Sequence, residues 1–117
     1  MNANDQRQEY RLTTELSIFL EVGTNNEQDT AIVISKSLDI SANGLRVITD
    51  CALPEGNILR ASVQSGDGMQ RFTLITEVKW SRAWEHEGEF LVGLALFESD
   101  NSSIQEWKEY VAHELKK

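Results

Sequence analysis

The 117-residue sequence has one cysteine, one proline and two histidines, and it contains no long hydrophobic run. Cys51 has no second cysteine with which to form an intramolecular disulfide, so a reduced, half-buried thiol is expected. The apolar stretches are much shorter than the roughly 20 residues that a membrane helix requires. Residues 1–9 are polar and lack the apolar segment of a secretory signal. We therefore expect neither secretion nor membrane insertion.

Motifs of catalysis and metal binding are also missing. His86 and His113 have no partner at the spacing of metal ligands, so no metal site is predicted. The sequence shows no nucleophile–base set, no Walker-type glycine loop and no dinucleotide fingerprint. No catalytic residue is assigned, and the protein is not expected to be an enzyme. A pocket that perturbs acid–base groups would leave no signature in the sequence, so an enzyme of unknown type stays a rival hypothesis.

The charge balance restricts the class of partner. The net charge is −8, with 19 acidic and 11 basic residues. Proteins that bind DNA, RNA or anionic membranes use broad basic surfaces, so neither nucleic acid nor membrane is expected as a partner. A small anionic ligand needs only a few cations close together, and the positions of the arginines therefore matter more than their number.

Hydrophobic periodicity predicts a single, mainly β domain that ends in one helix. Short strands at regular spacing indicate a sandwich or a barrel. The strands are predicted at 13–22, 31–40, 45–49, 58–63, 71–80 and 90–97, with a polar loop from 81 to 89. Near the C-terminus, Ile104, Trp107 and Val111 fall on one helical face, and Ser102 with Gln105 is expected to form a capping box.

The alternation also predicts which side chains share a face, because residues two apart lie on the same face of a strand. In the second strand the residues expected to be buried together are Ile32, Ile34, Leu38 and Ile40. In the fifth strand the residues expected to share one face are Phe72, Leu74, Thr76, Val78 and Trp80.

The segment from Asp39 to Gly44 lies between two apolar runs and has the pattern Asp-x-Ser-x-x-Gly. Asn43-Gly44 favours a turn, because both residues tolerate positive φ. A carboxylate accepts paired N–H donors, a hydroxyl donates and accepts, and a glycine lets a ligand approach the backbone. The same residues also suit an ordinary hairpin in which Asp39 and Ser41 bond to their own turn.

The polar arm of residues 1–12 carries Arg7 and Arg11. A spacing of four places both side chains on one side, whether the arm is helical or extended. Guanidinium groups bind phosphate through planar forks of N–H donors and stack on bases. Taken alone, two arginines in a polar arm are more typical of a solvated terminus.

Together, Arg-x-x-x-Arg at 7–11 and Asp-x-Ser-x-x-Gly at 39–44 resemble the two signatures of the PilZ domain, a bacterial receptor module for cyclic di-GMP. The segments 53–56, 77–82 and 92–97 resemble the family's Pro-x-Gly turn, Val-x-Trp strand and Val-Gly-x-x-Phe strand. The resemblance covers roughly residues 6–112. It implies a six-stranded antiparallel β-barrel of the split-barrel type with a C-terminal helix. The ligand-binding arm is then expected at 1–12, the barrel at 13–98 and the helix at 102–116.

The resemblance also implies roles for the motif residues. Arg7 and Arg11 would stack on guanine, hydrogen-bond to it and bind phosphate. Asp39 would accept hydrogen bonds from guanine N1–H and N2–H. Ser41 would hydrogen-bond to guanine or phosphate, and Gly44 would allow the turn and leave room for the ligand.

Asn43 and Trp80 are further candidates for lining the site. The implied function is a cytoplasmic cyclic di-GMP receptor with no other cofactor, whose arm changes conformation and signals to a protein partner. The alternative implied by the family is a ligand-independent adaptor, for example in pilus or motility control.

Overall fold

The computed structural model describes residues 11–23, 30–99 and 102–116. Across these residues, six antiparallel strands close into a barrel in the order β1-β2-β3-β6-β5-β4, and one helix follows. The predicted barrel with a C-terminal helix is therefore confirmed. The elements are β1 (Ser17–Gly23), β2 (Thr30–Ile40), β3 (Gly44–Thr49), β4 (Ile58–Gln64), β5 (Arg71–Ala83), β6 (Phe90–Phe97) and α1 (Ile104–Leu115).

The core fills the inside of the barrel with alternate side chains from each strand. In β4, for example, Leu59, Ala61 and Val63 are buried, while Arg60 between them is exposed. This period of two gives each strand one apolar face, and closing the sheet brings these faces together. Burial of apolar surface contributes roughly 25 cal/mol per Å², so the aliphatic interior is the main stabilising element.

The predicted buried face of β2 is wrong for its first half. Ile32 and Ile34 are 53% and 70% exposed, whereas Ile40 is fully buried. Ser37 pairs with Val47 and Asp39 pairs with Arg46, so Leu38 is an extra residue in the ladder. Such a bulge shifts the alternation by one position, which a uniform period of two does not anticipate.

Serine side chains replace apolar ones on the inner face before this bulge. The Ser37 hydroxyl donates to the Thr14 carbonyl at 2.5 Å and accepts from the Leu16 amide at 2.8 Å. The Ser35 hydroxyl donates to the Ile18 carbonyl at 3.0 Å. The two Ser37 bonds tie residues 14–16 to β2 in front of β1, which begins at Ser17 rather than at residue 13.

A second bulge lies in β5. Val78 pairs with Leu94 and Trp80 pairs with Gly93, which leaves Lys79 as the extra residue. Trp80 is consequently half-buried and does not share the inner face with Val78, in contrast to the prediction. Beyond the bulge, β5 continues to Ala83, so the predicted loop at 81–89 is shorter than expected.

The helix α1 packs against β5 through the side chains of Trp107 and Val111. The predicted capping box is wrong: the N-cap is Ser103, and it makes no side-chain cap bond. The Ser103 hydroxyl accepts from the Thr73 amide at 3.1 Å and so attaches the helix to β5. The Ser102 hydroxyl donates to the Ser99 carbonyl at 2.9 Å. Among the described helical residues, no segment has both the length and the apolar character of a membrane span.

Candidate functional site

The β2–β3 hairpin presents the Asp-x-Ser-x-x-Gly segment at one end of the barrel. The Ser41 amide donates to the Gly44 carbonyl at 2.9 Å, and Asp39 pairs with Arg46 across the two strands. Neither Asn43 nor Gly44 has positive φ, so the turn does not use the conformational freedom that favoured this dipeptide.

Close packing explains the glycine at position 44 instead. A Cβ atom at Gly44 would lie 2.9 Å from the Leu94 carbonyl oxygen of the neighbouring strand β6. Backbone atoms do not yield to such a contact, so any larger residue would separate β3 from β6. Glycine at position 44 therefore allows β3 to stay paired with β6 at the site.

The start of the arm is fixed beside this hairpin. The Leu12 amide donates to the Ile40 carbonyl at 2.8 Å, and the Ile40 amide donates back to Leu12 at 2.9 Å. This isolated bridge places Arg11 next to the motif, with its Nε 2.8 Å from Asp39 Oδ1 and its Nη1 3.4 Å from Ser41 Oγ. One arginine of the arm is thus joined to two residues of the turn motif. Arg7 lies outside the described residues.

A second guanidinium, that of Arg46, also binds Asp39. Arg46 Nε lies 3.0 Å from each of the two Asp39 carboxylate oxygens, and Arg46 Nη2 donates to Oδ2. The Asp39 side chain is only 7% exposed, whereas Arg11 and Arg46 are 30% and 35% exposed. The carboxylate is therefore buried beneath two half-buried cations.

This environment determines the titration of Asp39. Burial alone raises the pKa of its carboxyl group, but hydrogen bonds from Arg46 and Arg11, together with their charges, outweigh it. The pKa is therefore held below its ordinary value of 3.8. The bond to Asp39 likewise raises the pKa of Arg46.

We expect Asp39 to make the stability of the fold dependent on pH. Because the carboxyl pKa is lower in the folded state, its contribution is complete above 3.8 and is lost as the pH falls through the folded value. Urea unfolding of the wild type and of Asp39→Asn, which does not titrate, should give a stability difference that shrinks below about pH 4. A difference that stayed constant down to about pH 2.5 would contradict this account.

An open cleft of about 220 Å³ adjoins the two arginines. Of the predicted site residues, Arg11, Asn43, Gly44 and Trp80 line it, while Asp39 and Ser41 lie beneath Arg11. We call this the basic cleft. It is lined by Arg11, Asn43, Gly44, Leu45, Arg46, Lys79, Trp80, Gly93, Leu94 and Ala95.

The basic cleft offers positive charge to a ligand. Its cations Arg11, Arg46 and Lys79 face the carboxylates of Asp39 and Glu77, the latter 3.7 Å from the Lys79 ammonium. These three cations and two carboxylates leave a local net charge of +1, although the whole chain has a net charge of −8. Three larger clefts among the described residues, of about 280, 370 and 380 Å³, are each lined by at least two carboxylates and suit an anion less well.

An indole ring forms one wall of the basic cleft. Trp80 lies against Gly93, where a Cβ atom would come within 2.3 Å of the ring. The Arg82 guanidinium lies 5.1 Å from the ring centroid, a distance typical of a cation–π contact. Glycine at position 93 thus lets the indole pack closely against β6.

The helix is directly connected to the turn motif. The Trp107 indole N–H donates to the Ser41 carbonyl at 3.0 Å, and both residues are fully buried. The ring is also in an edge-to-face contact with Phe72, with centroids 5.3 Å apart. Any displacement of the backbone at Ser41 must therefore be accommodated by α1.

Arg46 and Lys79 also line the basic cleft but were not predicted from the sequence. Arg46 was detectable, because a hairpin closed between Ser41 and Gly44 places Asp39 opposite Arg46. Lys79 enters the cleft from a bulge, and the sequence has no local signal for that bulge.

Comparison with known proteins gives a family match over nearly the whole chain. A family model described as the PilZ domain matches residues 5–113. A search among curated proteins finds no match.

The fold is also shared with solved structures of low sequence identity. The inhibitor of motility MotI/DgrA from Bacillus subtilis is 16% identical with a TM-score of 0.68, covering 96% of this chain and 52% of its own. YcgR from Escherichia coli in complex with c-di-GMP is 13% identical with a TM-score of 0.68, covering 95% of this chain and 46% of its own. The PilZ domain of YcgR with c-di-GMP is 12% identical with the same TM-score, covering 96% and 93%. The chain thus spans about half the length of the first two proteins and nearly all of the isolated domain.

Proposed function

This chain belongs to the PilZ domain family, and from that premise we propose that it is a receptor for cyclic di-GMP. The observation that carries the proposal is the junction of the two motifs, in which Arg11 of the arm bonds to both Asp39 and Ser41 of the turn. Solved relatives with the same fold hold c-di-GMP. The ligand is a dianion with two guanine bases, and the cleft offers cations, a buried carboxylate and an indole wall.

In this proposal each group has a chemical task. The Asp39 carboxylate accepts from guanine N1–H and N2–H, since an ionised carboxylate is a pure acceptor at neutral pH. Arg7 and Arg11 bind phosphate and stack on a base, Ser41 hydrogen-bonds to the ligand, and Trp80 borders the cleft. Charge-assisted hydrogen bonds contribute about 1.5–3 kcal/mol each, so a few local cations suffice in an acidic protein.

We further propose that ligand binding closes residues 1–12 over the basic cleft and that the changed surface signals to a protein partner in the bacterial cytoplasm. Two contacts support this idea. The Leu12–Ile40 bridge anchors the arm beside the cleft, and the Trp107–Ser41 hydrogen bond links the turn to α1. No catalytic step is assigned, because the proposed site binds its ligand unchanged.

The test is calorimetric titration of the protein with cyclic di-GMP, with GTP as the control ligand. Arg11→Ala is expected to weaken binding by roughly 10- to 150-fold, which corresponds to about 1.5–3 kcal/mol. Arg60→Ala is the matched control, because Arg60 lies on β4 away from the cleft lining, is 57% exposed and forms an ion pair with Glu21 at 4.0 Å.

Three outcomes have different meanings. Saturable binding that is lost in Arg11→Ala and kept in Arg60→Ala would support the receptor and its site. Equal binding by wild type and Arg11→Ala would place the ligand elsewhere. A folded wild type that gives no heat and no thermal shift at high micromolar ligand would refute the receptor proposal and favour the adaptor alternative.

A further inference from the structure

The Asp39 carboxylate is fully engaged before any ligand arrives. Arg46 spans both of its oxygens through Nε and Nη2, while Arg11 donates to Oδ1 at 2.8 Å. Two N–H donors on one planar group fit the edge between two carboxylate oxygens, which is the bidentate arrangement typical of arginine. Arg46 thus occupies the edge of Asp39 that best receives paired donors.

A guanine base would approach Asp39 with the same kind of fork. Its N1–H and N2–H are nearly parallel donors on one planar edge, as are Nε–H and Nη2–H of Arg46. One edge of a carboxylate cannot receive two such forks, and Arg11 already takes a further position on Oδ1. Guanine can therefore pair with both oxygens only if Arg46 leaves them.

We propose that Arg46 is an internal competitor of guanine at Asp39 and that ligand binding displaces it. The inference rests on the proposed function and assigns a regulatory role within the same site. The Arg46 side chain is 35% exposed, whereas that of Asp39 is 7% exposed. The guanidinium can therefore move into solvent while the carboxylate stays buried. Arg46 and Lys79 line the same cleft, where the released cation faces the phosphates of the ligand.

The two properties of Arg46 therefore act in opposite directions. Its planar fork opposes binding, because it holds Asp39, and its positive charge favours binding, because the ligand is anionic. Lysine separates the two, since it keeps the charge and lacks the planar fork. Alanine removes both.

We expect Arg46→Lys to bind cyclic di-GMP more tightly than the wild type by roughly 2- to 12-fold, the equivalent of one net hydrogen bond released from competition. Arg46→Ala is expected to bind more weakly than Arg46→Lys. The control is Arg60→Lys on the exposed face of β4, which should leave the affinity unchanged. Thermal unfolding of each ligand-free variant reports whether the fold is kept.

A second measurement observes the displacement itself. The ¹⁵N resonance of the Arg46 Nε–H group, assigned by its absence in Arg46→Lys, should shift when cyclic di-GMP is added to the wild type. The Nε–H resonance of Arg60 should stay where it is. A resonance of Arg46 that did not change at saturating ligand would show that Asp39 keeps its arginine, and the competition would be refuted.

The outcomes separate this inference from the function on which it rests. Tighter binding by Arg46→Lys, or binding by Arg46→Lys alone, supports the competition. Equal or weaker binding by Arg46→Lys overturns it while leaving a binding wild type as a receptor. If neither folded protein bound the ligand, the proposed function would fail and the competition with it. If Arg46→Ala bound cyclic di-GMP as tightly as Arg46→Lys, the role proposed for the released positive charge would be wrong.

Discussion

Asp39→Ala is expected to weaken cyclic di-GMP binding by at least about 100-fold, because it removes the acceptor for two N–H groups of guanine. Of the two described carboxylates that pair with cations of the basic cleft, Asp39 is the more deeply buried, with its side chain 7% exposed against 27% for Glu77. Hydrogen bonds made away from water are the ones that discriminate most strongly between bases. The measurement is the calorimetric titration described above.

Two companion variants make this result specific. Asp39→Asn keeps the shape and one acceptor but turns an amide N–H₂ towards the donors of guanine, so its affinity should lie between those of wild type and Asp39→Ala. Asp50→Ala removes an exposed carboxylate at the end of β3, outside the residues that line the cleft, and should bind as the wild type does. A folded Asp39→Ala protein within about threefold of wild type would mean that this carboxylate does not read guanine.

Trp107→Ala is expected to lower the free energy of unfolding by about 3–5 kcal/mol. The indole is fully buried between α1 and the barrel and touches Phe72 and Tyr110 with its ring. A domain of this size is typically stable by about 5–15 kcal/mol, so the loss is a large share of the total. Urea unfolding followed by circular dichroism measures it.

Trp107→Phe separates packing from the hydrogen bond. Phenylalanine keeps an aromatic ring but leaves the buried Ser41 carbonyl without its donor, which costs about 1–3 kcal/mol. If the bond also holds the turn in its binding geometry, the affinity for cyclic di-GMP should fall as well. Val111→Ala, another buried residue of α1 that makes no bond to the turn, is the control. Unchanged affinity in both variants would restrict Trp107 to a structural role.

The strands were predictable because apolar and polar residues alternate regularly along most of them. Five of the six strands were placed within a few residues of their observed limits, and β6 matched at both ends. The exposed Ile32 and Ile34 and the displaced Trp80 were not predictable in the same way. Each error follows from a single bulged residue, Leu38 or Lys79, and a bulge depends on how two strands fit together rather than on either strand alone.

The candidate site was predictable in part for a similar reason. The motif spacing identified Arg11, Asp39 and Ser41, and the structure brings these side chains together. Whether they bind the ligand stays a prediction, as does the whole contribution of Arg7. Arg46 required the hairpin register, and the close approach of Leu94 to Gly44 required the packing of β6 on β3. Local motifs indicate which side chains are present. The lowered pKa of Asp39 and its pairing with Arg11 and Arg46 depend on contacts between segments.

The order of strands in the barrel has a consequence for folding kinetics. The hairpin that pairs Asp39 with Arg46 is local in sequence, whereas the basic cleft also needs β3 paired with β6, which joins Gly44 to Ala95. Such long-range pairing is slow to form, because the entropy of loop closure must be overcome first. The internal ion pair can thus assemble before the barrel closes, and the cleft only afterwards. A ligand that binds there stabilises contacts made late in folding, so it is expected to slow unfolding far more than it speeds folding.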